Sequence, residues 1–117
     1  MTVRVLLVED DAGVAGALAE SLHARGHPVT SVARGADALH HHRTADLVLL
    51  DLGLPDLDGC ELSKRLRAAH GSSLVLIAVT GRSGDDEHNE AMAAGVDHVL
   101  CKPLSQESLR RFFPPLN

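Results

Sequence analysis

Apolar and polar positions alternate in blocks along this chain, in an order that repeats five times. Residues 3–8 form a short, mostly continuous apolar run of Val and Leu, the signature of a strand buried on both faces. From Asp11 the spacing turns helical. Val14, Leu18 and Leu22 fall at i, i+4 and i+8, with Ala15 and Ala19 beside them, and predict the inward stripe. Gly26, after Arg25, suits the position just past a helix end. Residues 29–33 read as a second strand and 36–43 as a short helix. Leu47-Val48-Leu49-Leu50 makes a third strand that ends on an acid, Asp51. Asp58-Gly59-Cys60-Glu61 has the form of a capping box and opens a helix with Leu62, Leu66 and Ala69 inward, closed by Gly71. Residues 74–80 are a fourth strand, 85–94 a helix closed by Gly95, and 96–101 a fifth short strand. A last helix over 105–113 stops at Pro114-Pro115.

Strands alternating with helices over short links predict a parallel sheet covered on both sides. Right-handed crossovers then give a doubly wound, five-stranded α/β sandwich of three layers, a (βα)5 flavodoxin-like fold. The 117 residues are the size of one domain. Its expected core is 3–113, with 114–117 as a terminal tail or the start of a linker. Only two aromatic residues occur, Phe112 and Phe113, so the core must be aliphatic. With 11 Lys+Arg against 16 Asp+Glu, the net charge is −5. That argues against direct nucleic-acid binding, which needs a basic face. Two cysteines, Cys60 and Cys101, make no disulfide framework, so a reducing, cytoplasmic setting is expected. No apolar stretch approaches the roughly 20 residues that span a bilayer, so no membrane contact is expected. Arg4 and the acids from Glu9 interrupt the N-terminal run, leaving no signal peptide in view.

Chemistry-bearing residues gather where strands end: Glu9-Asp10-Asp11 after the first, Asp51 after the third, Thr80 after the fourth, Lys102-Pro103 after the fifth. Open α/β sheets bind ligands at that edge, near the switch point of the strand order. Glu9, Asp10 and Asp51 are hard oxygen ligands, suited to Mg²⁺, with Mn²⁺ as an alternative, rather than Zn²⁺. Lys102 supplies a compact positive charge and Thr80 a hydroxyl donor. Together with a metal they would stabilise a transferring phosphoryl group, with Asp51 as the nucleophile that becomes an aspartyl phosphate. Gly81 leaves space beside Thr80.

These residues carry a resemblance. Val5-Leu6-Leu7-Val8-Glu9-Asp10-Asp11, Leu49-Leu50-Asp51-Leu52-Gly53-Leu54-Pro55 with Asp58-Gly59, Ala78-Val79-Thr80-Gly81, and Ala94-Gly95-Val96-Asp97 with Lys102-Pro103 stand in order and at the spacing of a known family. Over nearly its whole length the chain resembles a receiver domain of two-component response regulators. The resemblance implies that Asp51 is the phosphoacceptor in a phosphorelay. Glu9, Asp10, Asp51 and the backbone carbonyl of Gly53 would hold Mg²⁺, and Thr80 and Lys102 would contact the phosphoryl oxygens. It implies a cis Lys102–Pro103 bond. It also implies a phosphohistidine donor on a histidine kinase or histidine phosphotransfer protein, and a changed surface of helix four, strand five and helix five that regulates a downstream protein or attached effector. A monomer or a phosphorylation-dependent homodimer fits the family. So does a signalling protein rather than an enzyme with an external substrate, one that assists its own transfer and slow autodephosphorylation.

One position departs from the family pattern. Three residues before the lysine, where the family usually has an aromatic ring, stands Val99. A stiff, small side chain cannot follow Thr80 inward as a ring does, so signalling is expected to run through the stretch from Thr80 to His88. Gly53 and Arg82, two beyond the acceptor and two beyond the threonine, are the positions that tune phosphoryl lifetime in the family.

Other features have plainer readings. Asp11 and Asp58 read as helix caps, Asp56 as a turn residue, and Asp85-Asp86-Glu87 as favourable charge at a helix N-terminus. His40-His41-His42 cannot converge on one ion, because neighbours on a helix point about 100° apart. It reads as a solvated helix end. His98 is expected on an exposed position, Cys101 as a buried structural thiol, and at least one of Phe112 and Phe113 in packing. Three rivals stand against the receiver. An aspartate-nucleophile hydrolase resembles its kin in a second Asp two residues on, where this chain has Gly53. A flavodoxin-like nucleotide binder needs a Ser/Thr/Gly loop where this chain has Glu9-Asp10-Asp11. A phosphorylation-independent pseudo-receiver acting as an interaction module keeps its place through Val99.

Overall fold

The computed structural model describes residues 3–81 and 85–113. The chain runs β1 (Val5–Val8), α1 (Ala12–Ala24), β2 (Val29–Val32), α2 (Gly35–His41), a 3₁₀ turn (His42–Thr44), β3 (Leu47–Asp51), α3 (Gly59–His70), β4 (Val75–Thr80), α4 (Asp85–Ala93), β5 (His98–Cys101) and α5 (Gln106–Phe112). The five strands form one parallel sheet in the order β2-β1-β3-β4-β5. Val5 pairs with Leu47, Leu50 with Ala78 and Thr80 with Cys101. The winding direction reverses between β1 and β3, so a cleft opens outside the carboxyl ends of those two strands.

Side-chain alternation divides the apolar strands between two cores. Leu6, Val8, Val48, Leu50, Leu76 and Ala78 face one side, where Ala38, Leu62, Leu66 and Ala91 from α2, α3 and α4 cover them. Val5, Leu7, Leu47, Leu49, Ile77 and Val79 face the other, under Ala15 and Leu22 of α1 and Leu109 and Phe113 from the end of the chain. This is the predicted sandwich, two helices on one face and three on the other. Phe113 is fully buried edge-on to His27, with ring centroids 6.1 Å apart.

Local chemistry sets the element ends. Asp11 caps α1 by accepting from the Val14 N–H at 3.1 Å, Asp58 caps α3 by accepting from Cys60 at 2.8 Å, and Ser105 caps α5 by accepting from Ser108 at 3.0 Å. Asp56 does more than turn the chain. Its carboxylate accepts from the backbone N–H groups of Gly35 and Ala36, capping α2 from the β3–α3 loop. Gly59 lies so close to the Leu52 backbone that a Cβ there would stand 2.6 Å from Leu52 Cα, which fixes the loop after Asp51. Arg67 ties the far end of α3 to the sheet. Its guanidinium donates to the carbonyls of Gly95, Leu74 and Gly71 and to Asp97, whose Oδ2 also accepts from Leu76 N–H at 2.8 Å.

Five local expectations differ from what is observed. Val14 is exposed, because α1 packs through Ala15, Leu18 and Leu22 and leaves Val14 on its flank. Ala69 is exposed, since it is His70, one position round the helix, that turns in against His42. His42 is not solvated. The chain tightens into the 3₁₀ turn at that residue, which buries its ring with Nδ1 3.1 Å from His70 Nδ1. His40 and His41 are exposed as expected. His98 is half-buried with its ring 4.7 Å from that of Phe112. Cys101, the last residue of an edge strand, is exposed rather than buried.

Candidate functional site

The four strand-end groups do converge. Glu9 continues β1 past its last pair, its N–H donating to Val32 O at 3.1 Å. Asp51 ends β3 opposite Val79. Thr80 ends β4, and Lys102 follows β5 with its N–H donating to Thr80 O at 2.8 Å. Carboxylate oxygens of Glu9, Asp10 and Asp51 lie within 4.8 Å of one another, so this cluster can hold a metal ion. Lys102 Nζ stands 2.7 Å from Asp51 Oδ2 and 3.0 Å from Glu9 Oε1. The other oxygen of Asp51 accepts from the Gly53 N–H at 2.9 Å, and Glu9 Oε2 accepts from the Asp11 N–H at 3.2 Å.

Burial and charge pull these groups in different directions. Burial pushes the Glu9 carboxyl up, and its contacts with Lys102 and the Asp11 N–H offset this only in part. Burial works against ionised Asp51 too, but the hydrogen bonds from Lys102 and Gly53 outweigh it and hold that carboxyl below the ordinary aspartate value. Burial pulls Lys102 down, and its bonds to Asp51 and Glu9 more than restore it, leaving a firmly protonated ammonium. Three carboxylates face one ammonium. The remaining negative charge, and the all-oxygen donor set, fit a hard divalent cation.

Two depressions meet at Asp51. One, of about 530 Å³, is a mostly apolar groove between α1 and α5, floored by Leu7 and Leu49 and rimmed by Val14, Leu18 and Leu104. The other, of about 580 Å³, is polar and lined by Asp51, Gly53, Asp58, Thr80, Glu87 and Glu90.

A sequence family described as the response regulator receiver domain matches residues 5–113. The chain belongs to this family. Among the receiver's relatives, the "Response regulator MprA" of Mycobacterium sp. (strain KMS) is 36% identical over 111 residues, 93% of this chain and 48% of MprA. The chain thus spans about half the length of the curated relatives it matches. Solved structures give the same family. A putative response regulator from Chloroflexus aurantiacus J-10-fl superposes with a TM-score of 0.87 at 30% identity, covering 95% of this chain and 94% of that one. A Burkholderia pseudomallei response regulator described with a phosphorylated aspartic acid, calcium ion and citrate has a TM-score of 0.85 at 25% identity, covering 94% of this chain and 65% of that one. No described helix is long and apolar enough to cross a membrane.

The receiver's remaining singled-out positions fall as follows. The Lys102–Pro103 bond is cis. Val99 is half-buried beside Ala78 and packs against the core under α2, α3 and α4. Gly53 is exposed two residues past Asp51, and a Cβ there would lie 3.6 Å from Asp51 Oδ1. Arg82 lies outside the described residues. Phe112 meets His98 ring to ring at a tilt of 54°, with the Arg111 guanidinium 4.9 Å from the Phe112 ring centre.

One acidic residue at the site has a second role beyond helix-terminal charge. Glu87 is in the first turn of α4, as its acidic run predicts, but its carboxylate also accepts from the Thr80 hydroxyl at 3.2 Å. Glu87 and Glu90 join Asp58 around Cys60, where burial and then these acids push the thiol up and keep it protonated. The sequence signal was the seven-residue spacing from Thr80 to Glu87, which becomes a contact only when the β4–α4 link is short.

Proposed function

We propose that this receiver takes a phosphoryl group from a phosphohistidine onto Asp51 in a Mg²⁺-dependent step, and that the modification reshapes the α4–β5–α5 face to regulate a partner. The observation that carries this reading is the contact of Asp51 with Lys102 inside a cluster of three acids at the switch point. A nucleophile there keeps its ionised form, since Lys102 and the Gly53 N–H hold the Asp51 carboxyl down. In the transfer, a carboxylate oxygen of Asp51 forms the new P–O bond as the P–N bond to the donor imidazole breaks, and the leaving nitrogen keeps the electron pair. Lys102 would shift its ammonium from the free carboxylate to the phosphoryl oxygens, and the Thr80 hydroxyl would donate to another. Mg²⁺, when bound by Glu9, Asp10, Asp51 and the Gly53 carbonyl, supplies the positive charge that offsets the incoming phosphoryl oxygens. Gly53 leaves Asp51 open to water, and Gly53, Arg82 and Pro103 are tuning positions in this reading, as Thr80 and Val99 are switch positions. A cytoplasmic setting and slow self-catalysed loss of the phosphoryl group belong to the same proposal.

The test is intact mass after incubation with acetyl phosphate, with Mg²⁺ and with chelator. A gain of one phosphoryl group that needs Mg²⁺ and is absent in Asp51→Asn supports the reading. A folded, Mg²⁺-binding chain that gains nothing from acetyl phosphate or from a phosphorylated kinase supports the pseudo-receiver, the alternative that Val99 favours.

A further inference from the structure

Thr80 stands between two oxygen acceptors that it cannot serve together. Its hydroxyl carries one proton. The hydroxyl lies within hydrogen-bond reach of Glu87 Oε1, 3.2 Å away on the first turn of α4. Glu87 is half-buried, and it lines the same polar pocket as Asp51 and Thr80. In this chain the usual aromatic partner of the switch is replaced by Val99, which is already packed on the core and has little reach. A path from the pocket to α4 therefore exists without any ring.

We propose that Glu87 is a positioning residue, the counterweight of the switch, which holds the Thr80 hydroxyl on α4 until a phosphoryl oxygen on Asp51 takes it. This inference rests on the reading of Asp51 as acceptor. The two arrangements exclude each other. With Asp51 unmodified, Thr80 donates to Glu87 and pins the start of α4 to the end of β4. With Asp51 modified, Thr80 donates inward, Glu87 loses that donor, and the first turn of α4 is released. The Glu87 carboxylate also opposes an anion in the shared pocket, so both its acceptor oxygen and its charge favour the unmodified state. A ligand shifts such an equilibrium only by its differential affinity for the two arrangements. Removing Glu87 should therefore favour the modified-like state.

Beryllofluoride with Mg²⁺ serves as the phosphoryl mimic, its affinity read by titration for wild type, Glu87→Ala, Glu87→Gln, Thr80→Ala and Thr80→Ala/Glu87→Ala. The expected result is tighter binding by about three- to tenfold in Glu87→Ala, the net worth of one ordinary hydrogen bond. Glu87→Gln should fall between Glu87→Ala and wild type, because the amide keeps an acceptor and loses the charge. In the Thr80→Ala background the Glu87→Ala gain should shrink to under about twofold. The Thr80 side-chain coupling constants and methyl shift, read without mimic, should change in Glu87→Ala. A gain that persists undiminished without the Thr80 hydroxyl, or no gain together with an unmoved Thr80 rotamer, overturns the counterweight. Wild type that binds no mimic and accepts no phosphoryl overturns the acceptor reading itself. The two failures are thus distinct.

Discussion

Gly59→Ala sets two effects of opposite sign against each other, and their magnitudes decide the outcome. Gly59 is the first residue of α3, so helix propensity alone favours Ala by up to about 1 kcal/mol. The added Cβ, however, would meet Leu52 Cα at 2.6 Å, Leu52 Cδ2 at 2.8 Å and the Asp51 carbonyl oxygen at 3.1 Å. Two of these three atoms are backbone and cannot swing aside, so α3 or the β3–α3 loop must move. Overpacking of this kind costs about 1–3 kcal/mol. A net destabilisation of about 1–2 kcal/mol is expected. Gly16→Ala is the matched control. Gly16 lies within α1, is exposed, and a Cβ there would meet nothing within 4 Å. Only the backbone effect operates at that position, so Gly16→Ala should stabilise by about 0.5–1 kcal/mol. Urea unfolding followed by far-ultraviolet circular dichroism measures both, since the chain has no Trp for fluorescence. Because Gly59 sets the loop beside Asp51, its variant should also take up phosphoryl more slowly while Gly16→Ala matches wild type. Equal gains in stability for both variants would refute the close-approach argument.

Arg67→Met should cost about 2–3 kcal/mol in the same assay, because it strands three carbonyls, on the α3–β4 and α4–β5 links, together with Asp97. Arg67→Lys should recover less than half, since one ammonium cannot span the fork's partners; full recovery would contradict the clamp. Burial, then His70 and Arg43, hold His42 below its ordinary value, so the unfolded chain takes up that proton first as pH falls. The stability His42 contributes is therefore complete above about pH 6.5 and declines below it. The urea midpoint should drop more between about pH 7.5 and about 5.5 for wild type than for His42→Leu, and equal drops would refute the assignment. Lys102→Met should slow phosphoryl uptake on the order of a hundredfold. The same change should tighten Mg²⁺ binding, measured calorimetrically, because the ammonium now occupies oxygens of both Glu9 and Asp51. Weaker Mg²⁺ binding would contradict that competition.

The strand-end residues were legible because periodicity places them there: a continuous apolar run that stops on Asp51 or Thr80 leaves little freedom for where that residue lies in a parallel sheet. The caps at Asp11 and Asp58 were legible for a similar local reason. What the sequence hid was set by contacts between distant segments. Asp56 caps α2 from 20 residues away or more, and nothing in its neighbourhood announces that. His42 is buried because the chain tightens into a 3₁₀ turn and meets α3, which no period of 3.6 foretells. Val14 and Ala69 show the limit of stripe counting. Each sits one step beyond the residues that carry the contact, and a step is about 100° of rotation. Glu87 was seen as helix-terminal charge, and its second partner needed the register of β4 against α4.

The central claim, that Asp51 accepts the phosphoryl group, is tested most directly by trapping the modified side chain. Borohydride reduces an acyl phosphate and converts that aspartate to homoserine, which peptide mass spectrometry assigns to one position. After treatment with acetyl phosphate, homoserine should occur at position 51, only when Mg²⁺ is present, with Asp10 and Asp11 intact. Homoserine at position 10 or 11, or its appearance at 51 equally with and without Mg²⁺, would contradict the account.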